Sequence, residues 1–137
     1  MQGGNKVVYH KELSYKVIGV MYEVYNELGY GYQEKYYGKA IEKSFLRSGI
    51  KFRSQVPYKI VFKGEVVGRY FLDFLVENKI VVEIKKGRYF SKRNIEQVKG
   101  YLRATKLQLA ILVNFTPNNI KFFRVLSPLN QYPTNDL

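Results

Sequence analysis

The spacing of hydrophobic residues predicts two helices in the first third of the chain. From Leu13 to Leu28, apolar side chains recur every three or four residues, which places them on one face of a helix. The same spacing predicts a second helix from about Gln33 to Arg47. Gly29 and Gly49 follow these segments and favour helix termination there. This part of the chain is therefore expected to form a pair of amphipathic helices.

Shorter apolar runs predict five strands and one more helix. Ser91 is a suitable N-cap for that helix, which is expected to end at about Thr105. The predicted strands cover residues 56–62, 66–76, 80–86, 107–115 and 120–126. The order α-α-β-β-β-α-β-β belongs to the α/β (α+β) class, with a mixed β-sheet flanked by helices. We expect residues 1–126 to form a single domain and residues 127–137 to form a loosely ordered C-terminal tail.

Three charged residues, Asp73, Glu83 and Lys85, interrupt the apolar pattern of the second and third predicted strands. Because side chains alternate between the two faces of a strand, Glu83 and Lys85 project together from the face opposite the apolar one. A three-residue loop at residues 77–79 would place Asp73 directly opposite Glu83 on the neighbouring strand. A slip of one residue would turn Asp73 to the other face, so this prediction depends on the length of the loop.

Two opposed carboxylates repel each other, and a divalent cation between them reverses the sign of that interaction. Mg²⁺ is commonly held by one or two carboxylates together with waters and substrate phosphate oxygens. With Lys85 to position a water or to stabilise developing charge, Asp73 and Glu83 would be suited to phosphodiester hydrolysis. The alternative is a structural ion pair between Lys85 and either acid on a solvent-facing strand.

Polar residues on the predicted helices supply three further candidates. Glu34 lies on or beside the apolar face of the second helix, where an acid needs a partner, so it is a candidate metal or water ligand. The alternative is an acid in a first helical turn, favoured by the helix dipole. Gln97 and Tyr101 are four residues apart and share a helix face. They are candidates for orienting a phosphate or a catalytic residue, or else ordinary residues at the boundary of the core.

The charge of the chain favours a polyanionic partner. The sequence has 23 Lys and Arg residues against 11 Asp and Glu residues, a formal net charge of +12. This excess indicates nucleic acid before an anionic membrane surface. Basic residues also surround the predicted acidic site, and the candidates for contacting nucleic acid are Lys86, Arg88, Lys92, Arg93 and Lys99.

The residue types that the sequence lacks exclude several other classes of function. The absence of cysteine excludes a disulfide scaffold, a cysteine-based zinc site and a cysteine nucleophile. His10 is the single histidine, so a histidine-rich metal site or a Ser/His/Asp triad is poorly supported. No apolar run approaches the roughly 20 residues that span a bilayer, and the first residues lack the apolar core of a signal peptide. A cytoplasmic protein without a membrane partner is expected.

Three motifs together resemble the PD-(D/E)XK nuclease superfamily. Asp73, followed after nine residues by Glu83-Ile84-Lys85, is similar to the D…(D/E)xK motif of that superfamily. Residues 31–37, GYQEKYY, resemble the G-x-x-E-x-x-Y pattern of the GxxExxY protein family within it. Residues 97–101, QVKGY, resemble the Q-x-x-x-Y element of RecB-like nucleases. Leu72 stands where the superfamily motif has proline, a departure that removes no ligand.

The resemblance implies a restriction-endonuclease-like core around a four-stranded mixed β-sheet. It also implies cleavage of nucleic acid, usually DNA, with Mg²⁺ or Mn²⁺ as cofactor. By position, it implies that Lys85 assists the attacking water and that Gln97 and Tyr101 support the site or hold the substrate strand. The metal ligands that it implies are Asp73, Glu83, the backbone carbonyl of Ile84, and Glu34 as an additional acid.

A metal-dependent DNA nuclease is the leading hypothesis from the sequence, and two alternatives stay open. The first is a noncatalytic module that keeps the nuclease fold and binds nucleic acid or another protein. The second is a structural subunit of a defence or repair complex. A homo-oligomer, or a partner protein within a DNA-processing or defence complex, is compatible with each of these hypotheses.

Overall fold

The structure is a computed structural model that describes residues 9–87 and 89–128. Its elements follow the predicted order and comprise helices α1 (Lys11–Leu28), α2 (Glu34–Arg47) and α3 (Lys92–Thr105) and strands β1 (Phe52–Phe62), β2 (Glu65–Val76), β3 (Ile80–Lys86), β4 (Leu109–Phe115) and β5 (Ile120–Leu126). Most of the predicted tail, residues 129–137, lies outside the described residues. Across the described ranges, no helix combines the length and the apolar character needed to cross a membrane.

All five strands form one sheet in the order β1-β2-β3-β4-β5. The β3 and β4 strands are parallel and are connected through α3, whereas the other three neighbouring pairs are antiparallel. This mixed sheet with helices on both faces is consistent with a restriction-endonuclease-like fold. The expectation of four strands was wrong, because β5 turns back after Phe115 and pairs with β4 along its full length. The apolar β4 strand is thereby protected from edge-to-edge association.

Apolar side chains form two clusters, one on each face of the sheet. On one face, α1 and α2 bury Met21, Tyr37 and Phe45 against the sheet. On the other face, α3 buries Val98 and Leu102. Every residue of β4 is buried because helices cover both of its faces, which explains why its sequence is apolar without alternation.

The loop between β2 and β3 has the length that the sequence predicts. Glu77 and Asn78 adopt left-handed backbone, with φ of 53° and 55°, and the Lys79 N–H donates to the Val76 carbonyl at 2.8 Å. Val76 pairs with Ile80, so the predicted register is confirmed. Backbone pairing continues only as far as Phe74 and Val82, and the next position along the register is that of Asp73 and Glu83.

Element boundaries differ from the prediction mainly at the strands. The β1 strand begins at Phe52, four residues before the predicted start, because the polar residues 53–55 hid its first part from the apolar pattern. The β4 strand begins two residues later than predicted, at Leu109. Ser91 is the N-cap of α3 as predicted, and its hydroxyl accepts a hydrogen bond from the Asn94 N–H at 3.1 Å.

Candidate active site

The acids Asp73 and Glu83 lie where β2 and β3 stop pairing through their backbones. The Ile84 N–H donates to Asp73 Oδ2 at 2.8 Å, and the Asp73 N–H donates to Glu83 Oε2 at 2.5 Å. Each carboxylate thus accepts a hydrogen bond from a backbone N–H of the opposite strand. The carboxylates take the place of the backbone carbonyls that would accept these bonds if the strands went on pairing. Both acids are therefore held close together by the backbone itself.

An irregularity in the sheet surrounds Asp73 on the side of β1. Phe74 pairs with Ser54 and Leu72 pairs with Val56, but the intervening Gln55 has a left-handed φ of 51° and interrupts the ladder. Leu72 and Phe74 pack into the clusters on opposite faces, although residues two apart in a regular strand share a face. The Gln55 side chain lies near the Asp73 carboxylate and lowers its pKa. This break in the alternation sets the position of Asp73.

Asp73 lines an open cavity of about 440 Å³ between β2 and α2. Gln55 and Ile84 lie on the sheet side of this cavity, and Glu34 and Lys35 lie on the α2 side. Glu34 is exposed, and its Oε2 accepts a hydrogen bond from the Lys86 N–H at 2.7 Å. The first turn of α2 is therefore tied to the end of β3, which brings the charge of Glu34 into interaction with Asp73.

Glu83 occupies a more enclosed position than Asp73. It is 5% exposed, and its Oε1 accepts a hydrogen bond from the Tyr70 hydroxyl. Its neighbours Val82 and Ile84 belong to the cluster on the α1/α2 face, so Glu83 points toward the α3 face. The cavity beside Asp73 is not lined by Glu83. Among residues 9–87 and 89–128, no three acids or histidines are arranged to hold a metal ion.

Burial and mutual repulsion perturb both carboxyl groups. Burial raises the pKa of Glu83 to about 8, and the negative charge of Asp73 adds to this rise. Burial also raises the pKa of Asp73, while the Ile84 N–H opposes the rise and the charge of Glu34 adds to it. Lys85 is half-buried, and its positive charge lowers the pKa of Asp73, so the three groups interact electrostatically. A cation at this position would relieve the repulsion.

The α3 helix presents a polar row toward this part of the sheet. Asn94, Gln97 and Tyr101 are spaced three and four residues apart and therefore share a face. The Asn94 side chain lies near the hydroxyl of Tyr70 and acts to lower its pKa, and that hydroxyl bonds Glu83. Tyr101 is buried and packs edge-on against Tyr58, with ring centroids 5.5 Å apart, and burial raises its pKa. Gln97 is half-buried.

The predicted basic residues lie in different surroundings. Lys86 places its Nζ 5.3 Å from the centroid of the Tyr30 ring. Lys92 and Arg93 are exposed in the first turn of α3. Lys99 forms an ion pair with Glu96 at 3.7 Å, so part of its charge is neutralised within the helix. Arg88 lies outside the described residues.

Three residues that contact the site were missed at the level of sequence. Asn94 follows from the same helical spacing as Gln97 and Tyr101, so the sequence contained a signal for it. Tyr70 lies in an apolar strand and has the pattern of an ordinary core residue. The left-handed Gln55 has no sequence signal, because glutamine gives no indication of a positive φ.

Comparison with known proteins identifies the superfamily. The sequence model of the PD-(D/E)XK nuclease superfamily matches residues 11–125. The chain therefore belongs to the PD-(D/E)XK nuclease superfamily, whose members are typically nucleases, generally use divalent metals and by implication bind nucleic acid. A search of curated proteins found no similar sequence.

A solved structure shares the fold. The crystal structure of the protein SSO0001 aligns with 90% of this chain at a TM-score of 0.53 and 22% sequence identity. The chain spans 61% of the length of that protein. At this identity the likeness shows a common fold.

Proposed function

We propose that the chain is a divalent-metal-dependent nuclease that hydrolyses phosphodiester bonds of DNA, with Mg²⁺ or Mn²⁺ as its cofactor. The superfamily supplies the general class of enzyme. The observation that carries the proposal is the pair of carboxylates on β2 and β3, which are bonded to each other's strands beside Lys85. These residues match in order and spacing the motif that defines the superfamily.

The donor atoms at this position suit a hard divalent cation. Asp73 and Glu83 would hold it together with the backbone carbonyl of Ile84, and each carboxylate keeps lone pairs beyond those used by its present hydrogen bonds. Glu34 would add a further oxygen from α2, directly or through a water. A bound Mg²⁺ or Mn²⁺ would stabilise the negative charge that develops on the scissile phosphate and acidify a nearby water.

Residues of the chain would orient the reacting groups. Lys85, half-buried beside Asp73, would position the attacking water or donate to the phosphate as its charge develops. Gln97 and Tyr101 would support the site from α3 or hold the substrate strand. The basic residues Lys86, Arg88, Lys92, Arg93 and Lys99 would contact the phosphate backbone on the way to the site.

The finer family assignment rests on α2. Glu34 bonds the end of β3, while the Tyr37 hydroxyl donates to the Gly29 carbonyl at 2.5 Å and holds the preceding loop in place. The two named positions of the G-x-x-E-x-x-Y pattern thus have distinct structural tasks. This supports membership of the GxxExxY family within the superfamily, with residues 1–126 as one catalytic domain.

One observation favours a second candidate, a noncatalytic nucleic-acid-binding or protein-interaction module. Glu83 is 5% exposed and does not line the cavity beside Asp73, so the two acids do not open onto one common cavity. A protein that keeps the fold but does not cleave would have no need for such a shared opening. A cleavage assay distinguishes the two candidates.

The assay incubates the protein with linear DNA, circular DNA or RNA in Mg²⁺ or Mn²⁺, with and without EDTA. The nuclease proposal predicts cleavage that requires the metal and is lost in Asp73→Asn, Glu83→Gln and Lys85→Met. Glu65→Gln, at an exposed acid in the β1–β2 turn region, is the matched control and should cleave normally. Binding that persists in the three variants without any product would support the noncatalytic module instead. Cleavage that survives all three substitutions would contradict the assignment of the site.

A further inference from the structure

Three exposed tyrosines surround Glu34 at the start of α2. Tyr30, Tyr32 and Tyr36 are 39%, 47% and 47% exposed, although each has a large apolar ring. Single exposed aromatic residues are common on protein surfaces, but a cluster next to a candidate active site is a feature of binding surfaces. The cleavage chemistry proposed above assigns no role to these three rings.

Contacts with the folded core hold these rings in place. The Tyr32 ring packs edge-on against Tyr36 and against the buried Tyr37, with centroid distances of 6.4 and 6.2 Å. Tyr37 is fully buried and stacks on Phe115 at 4.6 Å. Tyr32 is therefore supported at its edge by the core, and Tyr36 is supported by Tyr32, so less side-chain entropy is lost when a ligand binds to these two rings.

Tyr30 lies close to the end of β3. A Cβ atom at Gly87 would lie 2.9 Å from the Tyr30 hydroxyl, and Gly87 has a φ of +84°. The positive φ favours glycine at this position, and the short distance shows how closely Tyr30 approaches the end of the strand that carries Glu83 and Lys85. Lys86 lies over the Tyr30 ring, which adds positive charge at the same point.

A row of positive charge continues from the tyrosines along α2. The exposed residues Lys35, Lys39, Lys43 and Arg47 follow one another at intervals of four, which forms a row on the helix about 18 Å long. Lys35 lies 5.2 Å from the Tyr36 ring centroid, and Lys35 and Lys39 line the same cavity as Asp73. Within the described residues, the one ion pair joins Lys99 to Glu96, so none of these four cations is paired directly. Lys43 and Arg47 line a cavity together with the acids Glu23 and Glu27 of α1, so the positive charge is strongest at the Lys35 and Lys39 end.

We propose that Tyr30, Tyr32 and Tyr36, with the row Lys35, Lys39, Lys43 and Arg47, form a tyrosine–lysine surface that binds an unpaired strand of nucleic acid. Aromatic rings stack on the faces of bases, and in a duplex those faces are covered by neighbouring base pairs. The lysines and the arginine would follow the phosphates of the same strand. The inference rests on the proposed function in one respect, because it makes a single strand, or an unpaired segment within a duplex, the substrate of the nuclease.

Binding to an oligonucleotide of about 16 nucleotides tests the role of the rings, with the unpaired strand compared with its duplex by fluorescence anisotropy in EDTA. The parent should bind the unpaired strand more tightly. Tyr32→Leu/Tyr36→Leu should weaken that binding about fivefold or more, the minimum expected for one lost stacking contact, and change duplex binding much less. Tyr32→Phe/Tyr36→Phe keeps the rings and should bind as the parent does. Tyr15→Leu, at an exposed tyrosine of α1, is the matched control.

Several results would overturn the inference: equal affinity of the parent for the two forms, leucine variants that bind like the parent, or phenylalanine variants that lose as much as leucine variants. The charge row has its own test. Lys39→Gln/Lys43→Gln should reduce the salt dependence of single-strand binding by about 1.4 in the slope of log K against log salt, since each phosphate contact contributes about 0.7. An unchanged slope would show that the basic row does not contact the phosphates of the bound strand.

The EDTA condition separates this inference from the proposed function. Specific single-strand binding without cleavage in any metal would retain the tyrosine–lysine surface and reject the nuclease. Metal-dependent cleavage of duplex DNA, together with leucine variants that bind the unpaired strand as the parent does, would retain the nuclease and reject the tyrosine–lysine surface.

Discussion

The hydroxyl of Tyr70 donates a hydrogen bond to the carboxylate of Glu83. Tyr70 lies on β2, three residues before Asp73. Burial and the charge of Glu83 raise the pKa of Tyr70 far above its ordinary value, so the hydroxyl keeps its proton and remains a donor. Glu83 is thus held from two sides, by Tyr70 and by the backbone of Asp73. Tyr70 is a positioning residue for the acid that the proposed mechanism requires.

Replacement of Tyr70 tests this positioning role. Tyr70→Phe removes one donor to a buried acid and should lower the free energy of unfolding by about 1–3 kcal/mol, measured by urea denaturation. Because the bond favours the ionised form of Glu83, the pKa of that residue should rise further, and the pH optimum of cleavage should move upward. Tyr15→Phe is the control. A variant with the stability and pH profile of the parent would show that the bond is unimportant.

The raised pKa of Glu83 predicts a particular dependence of stability on pH. The pKa is about 8 in the folded protein against 4.5 ordinarily, so the folded state favours the protonated acid. This contribution to stability is complete below about pH 4.5 and is lost as the pH rises through 8. In EDTA, the free energy of unfolding should therefore decline over this window, by at most about 1.4 kcal/mol per pH unit for this one proton.

Asp73, whose pKa burial also raises, acts with the same sign. Glu83→Gln should flatten the decline, whereas Glu65→Gln, at an exposed acid, should leave it unchanged. Urea unfolding at several pH values between 4.5 and 9 measures the effect. If the free energy of unfolding of the parent protein rises over this range and declines only in Glu83→Gln, Glu83 is not the group with the raised pKa.

Lys85 provides a test of chemistry apart from binding. Lys85→Met keeps the length of the half-buried side chain and removes its charge, so the protein should fold and should bind DNA with little change. The single-turnover rate of cleavage should fall roughly 100-fold or more, because a group that stabilises charge in the transition state is lost. Lys51→Met, at an exposed lysine whose carbonyl accepts from the Glu77 N–H in the β2–β3 loop, is the matched control. Equal rates for the two variants would show that Lys85 takes no part in the cleavage chemistry.

The sequence predicted much of the framework that positions the site. Loop length decided the register of β2 and β3, and Glu77 and Asn78 carried the left-handed backbone of a three-residue loop. Helical spacing predicted α1 and α2, and an N-cap residue marked the start of α3. These features are local, and local rules of spacing and turn chemistry determine them.

The parts that the sequence did not predict depend on long-range structure. The break in alternation at Asp73 arises from the left-handed Gln55 on the neighbouring strand, and no local pattern reports a positive φ in glutamine. The bond between Tyr70 and Glu83 joins side chains on two strands at the point where regular pairing has ended. The sequence did not predict that the tyrosines around Glu34 are exposed or that Tyr30 lies close to the end of β3, because both features depend on how α2 packs against the sheet.

Titration of the protein with Mn²⁺, followed by electron paramagnetic resonance of the free ion, tests most directly whether the β2–β3 carboxylates hold a divalent cation. The account predicts that the parent protein binds Mn²⁺ and that both Asp73→Asn and Glu83→Gln bind it more weakly. Changes to residues that only support the ligands typically reduce metal affinity roughly 10- to 100-fold, and the loss in these two variants should be larger. Glu65→Gln should bind as the parent does. A parent protein that binds no Mn²⁺, or the same affinity in all four proteins, would contradict the metal site and the nuclease mechanism built on it.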